Sequence, residues 1–225
     1  SPFASWRSAL ADRGFVAFAA ATSVGFLLYN QFYLLLPLEA SRVTGWAGAT
    51  GGIFLISTVL TLLTQIRLVS WCSRRFGPGR SIAIGLVVAA SAFVPMALSS
   101  SFVADVRPGE GSLGEVALAA LPVAVATVLL TIGLDITQPF SQDLVSEFAR
   151  PGLTGTYLAI AMTASGLSTA GGNTVVGYLD DLGRGVGLPW ASSAALALIA
   201  ATAAGVVVVL HRAGRLSRKA VTSAP

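Results

Sequence analysis

The chain has 225 residues, of which 54% are hydrophobic and 11% charged, with a mean hydropathy of +0.77. A soluble domain of that composition would have too little polar surface to stay dispersed, so a bilayer is the expected solvent. The net charge of +4 would suit a nucleic-acid binder, but the basic residues segregate by loop, and no nucleic-acid partner is expected. A single cysteine, Cys72, excludes an internal disulfide, and one thiol with one distant histidine, His211, offers no metal-ligand set; no metal or other cofactor is expected.

The apolar residues fall into six runs that approach or exceed the roughly 18 to 20 residues a helix needs to cross a hydrocarbon core of about 30 Å. They predict spans at 14–38, 46–69, 81–98, 116–136, 152–176 and 189–210, preceded by a short cytoplasmic segment 1–13 and followed by a basic cytoplasmic tail 211–225. The first run, with Arg7 and Arg13 before it, has the outline of a signal peptide, but it is too long, lacks a cleavage site and is followed by further spans. Because the first residue is Ser rather than Met, the amino end reads as a processed or excised boundary. Within this span Asn30 and Tyr33 share a side with Phe26, a mixture of aromatic and amide groups suited to amphipathic organic molecules, while Gln31 points about 100° away.

On the second span Thr58, Thr61 and Gln65 lie at i, i+3 and i+7, one stripe that serves equally as a cavity wall or as helix–helix hydrogen bonding. Gly48 and Gly52 form a small-xxx-small face, which reads as structural. The third span holds nothing more polar than Ser. On the fourth, Thr127, Thr131 and Asp135 share a face, and a carboxylate costs on the order of 2.5 to 3.5 kcal/mol at the centre of a membrane helix. Pro139 is expected to stop this helix, which places Asp135 near its inner end. There it serves either substrate and proton handling or a structural pairing with water or Arg74. Residues 138–151 either extend the fourth helix or lie flat on the membrane.

The fifth span carries Ser165 and Asn173, with Ala164, Ser168 and Gly172 as a second small-residue face. Ser165–Gly166 within a helix raises the possibility of an intramembrane serine protease. That reading fails because Thr163 stands where the rhomboid-type signature needs Gly, and the only His is outside the membrane, so Ser165 has no general base. No enzymatic activity is expected. The sixth span, like the third, holds nothing more polar than Ser or Thr.

Polar spans one, two, four and five against apolar spans three and six give a period of three, the pattern of two inverted three-helix repeats whose third helices face lipid. With both termini cytoplasmic, eleven of the 14 Lys and Arg residues lie inside and only Arg42, Arg107 and Arg184 outside, as the positive-inside rule requires. Trp46, Trp71 and Trp190 fall at span ends and Trp6 in the inner segment before the first span, at the headgroup level where an indole ring is half in lipid and half in water. The chain is thus expected to be a multi-pass protein of the plasma or inner membrane, with the lipid bilayer as its first partner.

Six helices in this 3+3 arrangement resemble one half of the major facilitator superfamily. The inner loop SWCSRRFGPGR (70–80), with Arg74, Arg75, Gly77 and Arg80, resembles the family's basic, glycine-containing turn between the second and third helices of a half, although the usual Asp is replaced near Ser73 or Arg74. The stretch YNQFYLLLPLEA (29–40) is similar to the seventh helix of bacterial drug-efflux members. The segment from Gly152 through Tyr157, Gly166, Gly171, Gly172 and Asn173 to Gly177 is similar to their eleventh. The resemblance implies helices seven to twelve of a transporter, with efflux of a small, partly apolar organic compound, driven by protons. It implies a substrate cavity drawn from Asn30, Tyr33, Thr58, Thr61, Gln65, Thr131, Asp135, Ser165 and Asn173, with Asp135 the proton-coupling candidate. One half alone would expose its polar helices to lipid, so an N-terminal six-helix half is expected as partner, removed by excision or supplied as a separate polypeptide.

An ABC-type permease subunit is the nearest rival, since Glu39-Ala40-Ser41 followed by Gly45 resembles part of that family's inner-loop motif. The charge distribution places this segment outside, and the rest of the motif is missing. A structural or assembly subunit without transport of its own is the remaining alternative.

Overall fold

The structure, a computed structural model, describes residues 2–102 and 112–216; Arg107, Arg218, Lys219 and the end of the predicted tail lie outside the described residues. In chain order its helices are α1 (Pro2–Leu10), α2 (Arg13–Asn30), α3 (Leu35–Thr44), α4 (Ala49–Phe76), α5 (Pro78–Ser91), α6 (Phe93–Phe102), α7 (Leu113–Phe148), α8 (Thr154–Gly185) and α9 (Ala191–Arg212). Among the described residues there is no strand, and the expected all-α membrane class holds.

The ends and breaks of these helices follow from local chemistry. The Asp12 carboxylate caps α2 by accepting from the N–H groups of Gly14 and Phe15 at 3.0 and 3.1 Å. Ser112 and Glu115 form a reciprocal capping box at the start of α7. Pro37 has no N–H to give the Tyr33 carbonyl, and the chain breaks between α2 and α3; Leu36 N–H bonds instead to Gln31 O, five residues back, at 3.0 Å. Pro95 does the same to Ser91, and α5 gives way to α6 at Ala92. Counting each broken pair as one rod, five rods are long and apolar enough to cross a membrane: α2–α3, α4, α5–α6, α7 and α9. The sixth, α8, has 32 residues, ample length, but its Gly, Ser, Thr and Asn173 keep it below that hydropathy.

Cross-helix contacts set the direction of each rod. Ser57 meets Thr131 and Thr61 meets Asp135, so α4 and α7 run parallel. Gly25 approaches Thr137 while Phe15 stacks on Phe148, so α2 is antiparallel to α7. Phe15 also stacks on Tyr157 at 4.6 Å, and Gln31 reaches Asn173, so α2 and α8 are parallel. Gly85 lies on Thr137 and Gly133 on Ala89, so α5 opposes α7; Gly79 packs under His211, so α5 opposes α9. The six rods therefore alternate in direction.

The closest seam is α5 against α7. A methyl group on Gly133 would lie 2.5 Å from the backbone nitrogen of Ala89 and 2.6 Å from the carbonyl oxygen of Gly85. Ile82, Leu86, Ala89, Leu130 and Leu134 are buried beside it. The third span is thus packed closely on α7 within this chain. Its exposed large apolar side chains are Val87, Val94 and Leu98, while α4 has 6% of its most apolar window buried within this chain and leaves Leu62, Leu63 and Ile66 exposed. The cause is residue size rather than polarity: Gly85 and Gly133 let two backbones approach. The predicted small-residue face at Gly48 and Gly52 meets no other helix; Gly52 has no neighbour within 4 Å and Gly48 lies under its own Trp46 ring. Gly172 does pack, against Leu27 of α2.

Candidate functional site

The predicted polar residues gather into two clusters at similar depth. On the α4–α7 seam, Thr61 Oγ1 donates to the Asp135 carboxylate at 3.0 and 3.2 Å. One turn away, Thr131 Oγ1 lies 3.1 Å from Ser57 Oγ and donates to the Thr127 carbonyl at 2.8 Å. Asp135 is half-buried. Pro139 does not stop the helix as the sequence suggested. The helix α7 continues to Phe148, so Asp135 stands thirteen residues, about 20 Å, from its end. Its partner Thr61 is the thirteenth of the 28 residues of α4, close to the middle. The carboxylate therefore lies well within the length of both helices. Because Pro139 lacks an N–H, the Asp135 carbonyl also loses its donor four residues on, concentrating acceptors at one level of the helix.

The second cluster sits where α2 breaks. Gln31 is fully buried; its Nε2 donates to Leu27 O at 3.0 Å and to Asn173 Oδ1 of α8 at 3.2 Å, and its Oε1 has no donor among the described residues. Asn30 Nδ2 donates to Phe26 O at 3.0 Å. Tyr29 and Tyr33, both exposed, share a hydroxyl hydrogen bond at 3.2 Å, and the Tyr33 ring packs on Phe54 of α4 at 5.4 Å. With Gly25 opposite Thr137, the antiparallel register puts Asn30 within about one helical turn of Asp135 along the bundle axis.

Other predicted residues join neither cluster. Thr58 is exposed and Gln65 half-buried; Ser57, which sequence reasoning passed over, holds the α7-facing position instead. The i, i+4 spacing of Ser57 and Thr61 matches that of Thr131 and Asp135, and this was the signal available. Ser165 is buried and donates to Ala161 O at 2.9 Å. Arg74, Arg75 and Arg80 are exposed around Gly77, whose φ of 72° and ψ of 171° are strained for any residue with a side chain. Among the described residues no group of three or more His, Cys, Asp or Glu is placed to hold a metal.

At the opposite end of the bundle from those arginines, two acids, Glu39 and Asp180, are buried in a charge network. Glu39, 1% exposed, accepts from Arg42 at 2.6 and 2.9 Å and from Arg184 at 3.4 Å; Asp180 accepts from Arg184 at 2.9 Å and from Ser192 at 2.9 Å. Arg42 also donates to Ser99 O at 2.9 Å, so α3, α6, α8 and α9 are tied together. Burial opposes the Arg184 charge, but Asp180 and Glu39 outweigh it and raise its pKa above the ordinary arginine value. A cavity of about 840 Å³ opens beside the network, lined in part by Arg42, Ser100, Arg184 and Trp190. The carboxylates already engage its guanidiniums, which makes it a poor anion site.

A family model described as Major Facilitator Superfamily matches residues 1–173. An uncharacterized MFS-type transporter of Mycobacterium tuberculosis is 27% identical over 181 residues, 80% of this chain and 41% of that protein. Multidrug resistance protein MdtH of Cronobacter sakazakii is 26% identical over 185 residues, 81% of this chain and 42% of that protein; its counterpart in Aeromonas salmonicida is 23% identical over 212 residues, 93% and 48%. The chain thus spans less than half the length of these relatives. No solved structure matches it significantly.

Proposed function

The chain belongs to the major facilitator superfamily, and from that premise we propose that it forms helices seven to twelve of an efflux transporter for a small, partly apolar organic compound, coupled to protons. Its relatives are about twice its length or more, and several carry multidrug resistance names. In this reading the six alternating rods are six crossings in two inverted triplets, and the basic residues favour both termini on the cytoplasmic side. A second six-helix half, in the same or another polypeptide, closes the cavity over α4 and α8, whose outward surfaces no described helix covers.

The observation that carries this reading is the depth of Asp135. A carboxylate held in mid-bundle by a single hydroxyl partner, with no ion pair among the described residues, is costly in a bilayer and is a hypothesis of function by default. A proton taken up there neutralises the cavity wall, and a proton released restores a charge that a cationic or hydrogen-bonding substrate recognises. Asn30, Tyr33 and Asn173 supply the amide and aromatic contacts.

The test is Asp135→Asn in the full-length transporter, reconstituted in vesicles with an imposed pH gradient. Gradient-driven efflux is expected to fall at least tenfold, while membrane insertion and substrate binding persist. Undiminished pH-dependent efflux would remove Asp135 from the mechanism.

A further inference from the structure

At the end of the bundle remote from Glu39, α4 turns into α5 through Gly77, and the end of α9 lies on that turn. Ser81 Oγ donates to Gly77 O at 2.7 Å and to Cys72 O at 3.4 Å, holding the two helices end to end. A methyl group on Gly79 would meet His211 Nδ1 at 2.7 Å and Leu216 Cδ1 at 3.0 Å, and Leu216 is buried there. Gly214, with φ of 69°, makes this fold-back: its N–H bonds to His211 O, and that of Arg215 to Leu210 O, each at 3.0 Å, the left-handed helix stop that glycine favours. Arg74, Arg75, Arg80, Arg212 and Arg215 are thereby brought around one turn, all exposed.

No protein carboxylate forms an ion pair with them: among the described residues every ion pair involves Arg42 or Arg184 at the far end. The start of α5 has no side-chain cap, so its first free N–H groups add to the positive potential of the same turn. Trp71, half-exposed and packed edge-on by Phe76 at 5.2 Å, stands one turn before Arg74 and Arg75. An exposed indole of this kind marks headgroup depth. We propose that the α4–α5 turn and the end of α9 together form a binding site for the phosphate headgroup of an anionic phospholipid. Guanidinium forks suit phosphate oxygens, and basic clusters beside membrane helices draw anionic lipid at about fivefold per cation.

The experiment uses the full-length protein in mixed micelles of phosphatidylcholine with phosphatidylglycerol or cardiolipin, and native mass spectrometry to count retained lipids. Retention of the anionic lipids over phosphatidylcholine is expected, falling roughly 100-fold in an Arg80→Gln, Arg212→Gln, Arg215→Gln variant. Arg150→Gln, an exposed arginine before α8, leaves retention unchanged. All variants change exposed side chains, and an unaltered melting temperature verifies that each is folded. Three results would overturn the proposal: no preference for anionic lipid, an equal loss in Arg150→Gln, which indicates diffuse charge, or displacement of the lipid by inorganic phosphate alone, which indicates a free-anion site.

Discussion

Replacing Gly133 by alanine puts one methyl group into the tightest seam of the bundle. The added carbon would stand 2.5 Å from Ala89 N, 2.6 Å from Gly85 O and 2.8 Å from Ala89 Cα. Carbon contacts settle at about 3.5 to 4.0 Å, so α5 and α7 must part by roughly 1 Å. The obstructing atoms are all backbone; no flexible side chain can swing aside. Overpacking of this kind costs about 1 to 3 kcal/mol, and the better helix propensity of alanine returns up to about 1 kcal/mol. A net loss of about 1 to 2 kcal/mol is expected, as Leu86, Leu130 and Leu134 loosen around the gap. Thermal unfolding in mild detergent measures it. Gly205→Ala on α9, with nothing within 4 Å of the added carbon, is the control and should be neutral or slightly stabilised. Equal melting of Gly133→Ala and the unmodified protein, or an equal drop in Gly205→Ala, would refute the claim that glycine at 133 sets the distance between α5 and α7.

Glu39→Gln leaves two guanidiniums facing a neutral amide, and a loss of about 2 to 4 kcal/mol is expected in the same assay. That is less than for a fully buried pair, because Arg184 is 32% exposed. Asp181→Asn, an exposed neighbour, should not move the melting temperature. A double-mutant cycle of Ser57→Ala with Thr131→Val is expected to give a coupling of about 0.5 to 1 kcal/mol, since hydroxyl bonds between membrane helices are weak. Zero coupling would mean that the two hydroxyls do not meet.

The sequence by itself determined the solvent, the helical class and the family. Runs of 18 or more apolar residues admit few folds other than membrane helices, and the basic turn at 70–80 with the glycine-rich run of α8 carries enough pattern for the resemblance. It also pointed to Asp135 and Thr61 separately, as polar residues too costly to leave facing lipid. Only the tertiary structure decided how such residues meet. Periodicity fixes which residues share a stripe but not the direction the stripe faces, so Ser57 rather than Thr58 opposes Thr131, and the apolar third rod packs on α7 through Gly85 and Gly133. Proline read one residue at a time stops a helix; packed among neighbours in a bundle it is accommodated, which carries α7 past Pro139 and leaves Asp135 well inside the helix rather than at its end. The Glu39 network was equally hidden, because its bonded partners lie up to 145 positions apart and only the fold brings them together.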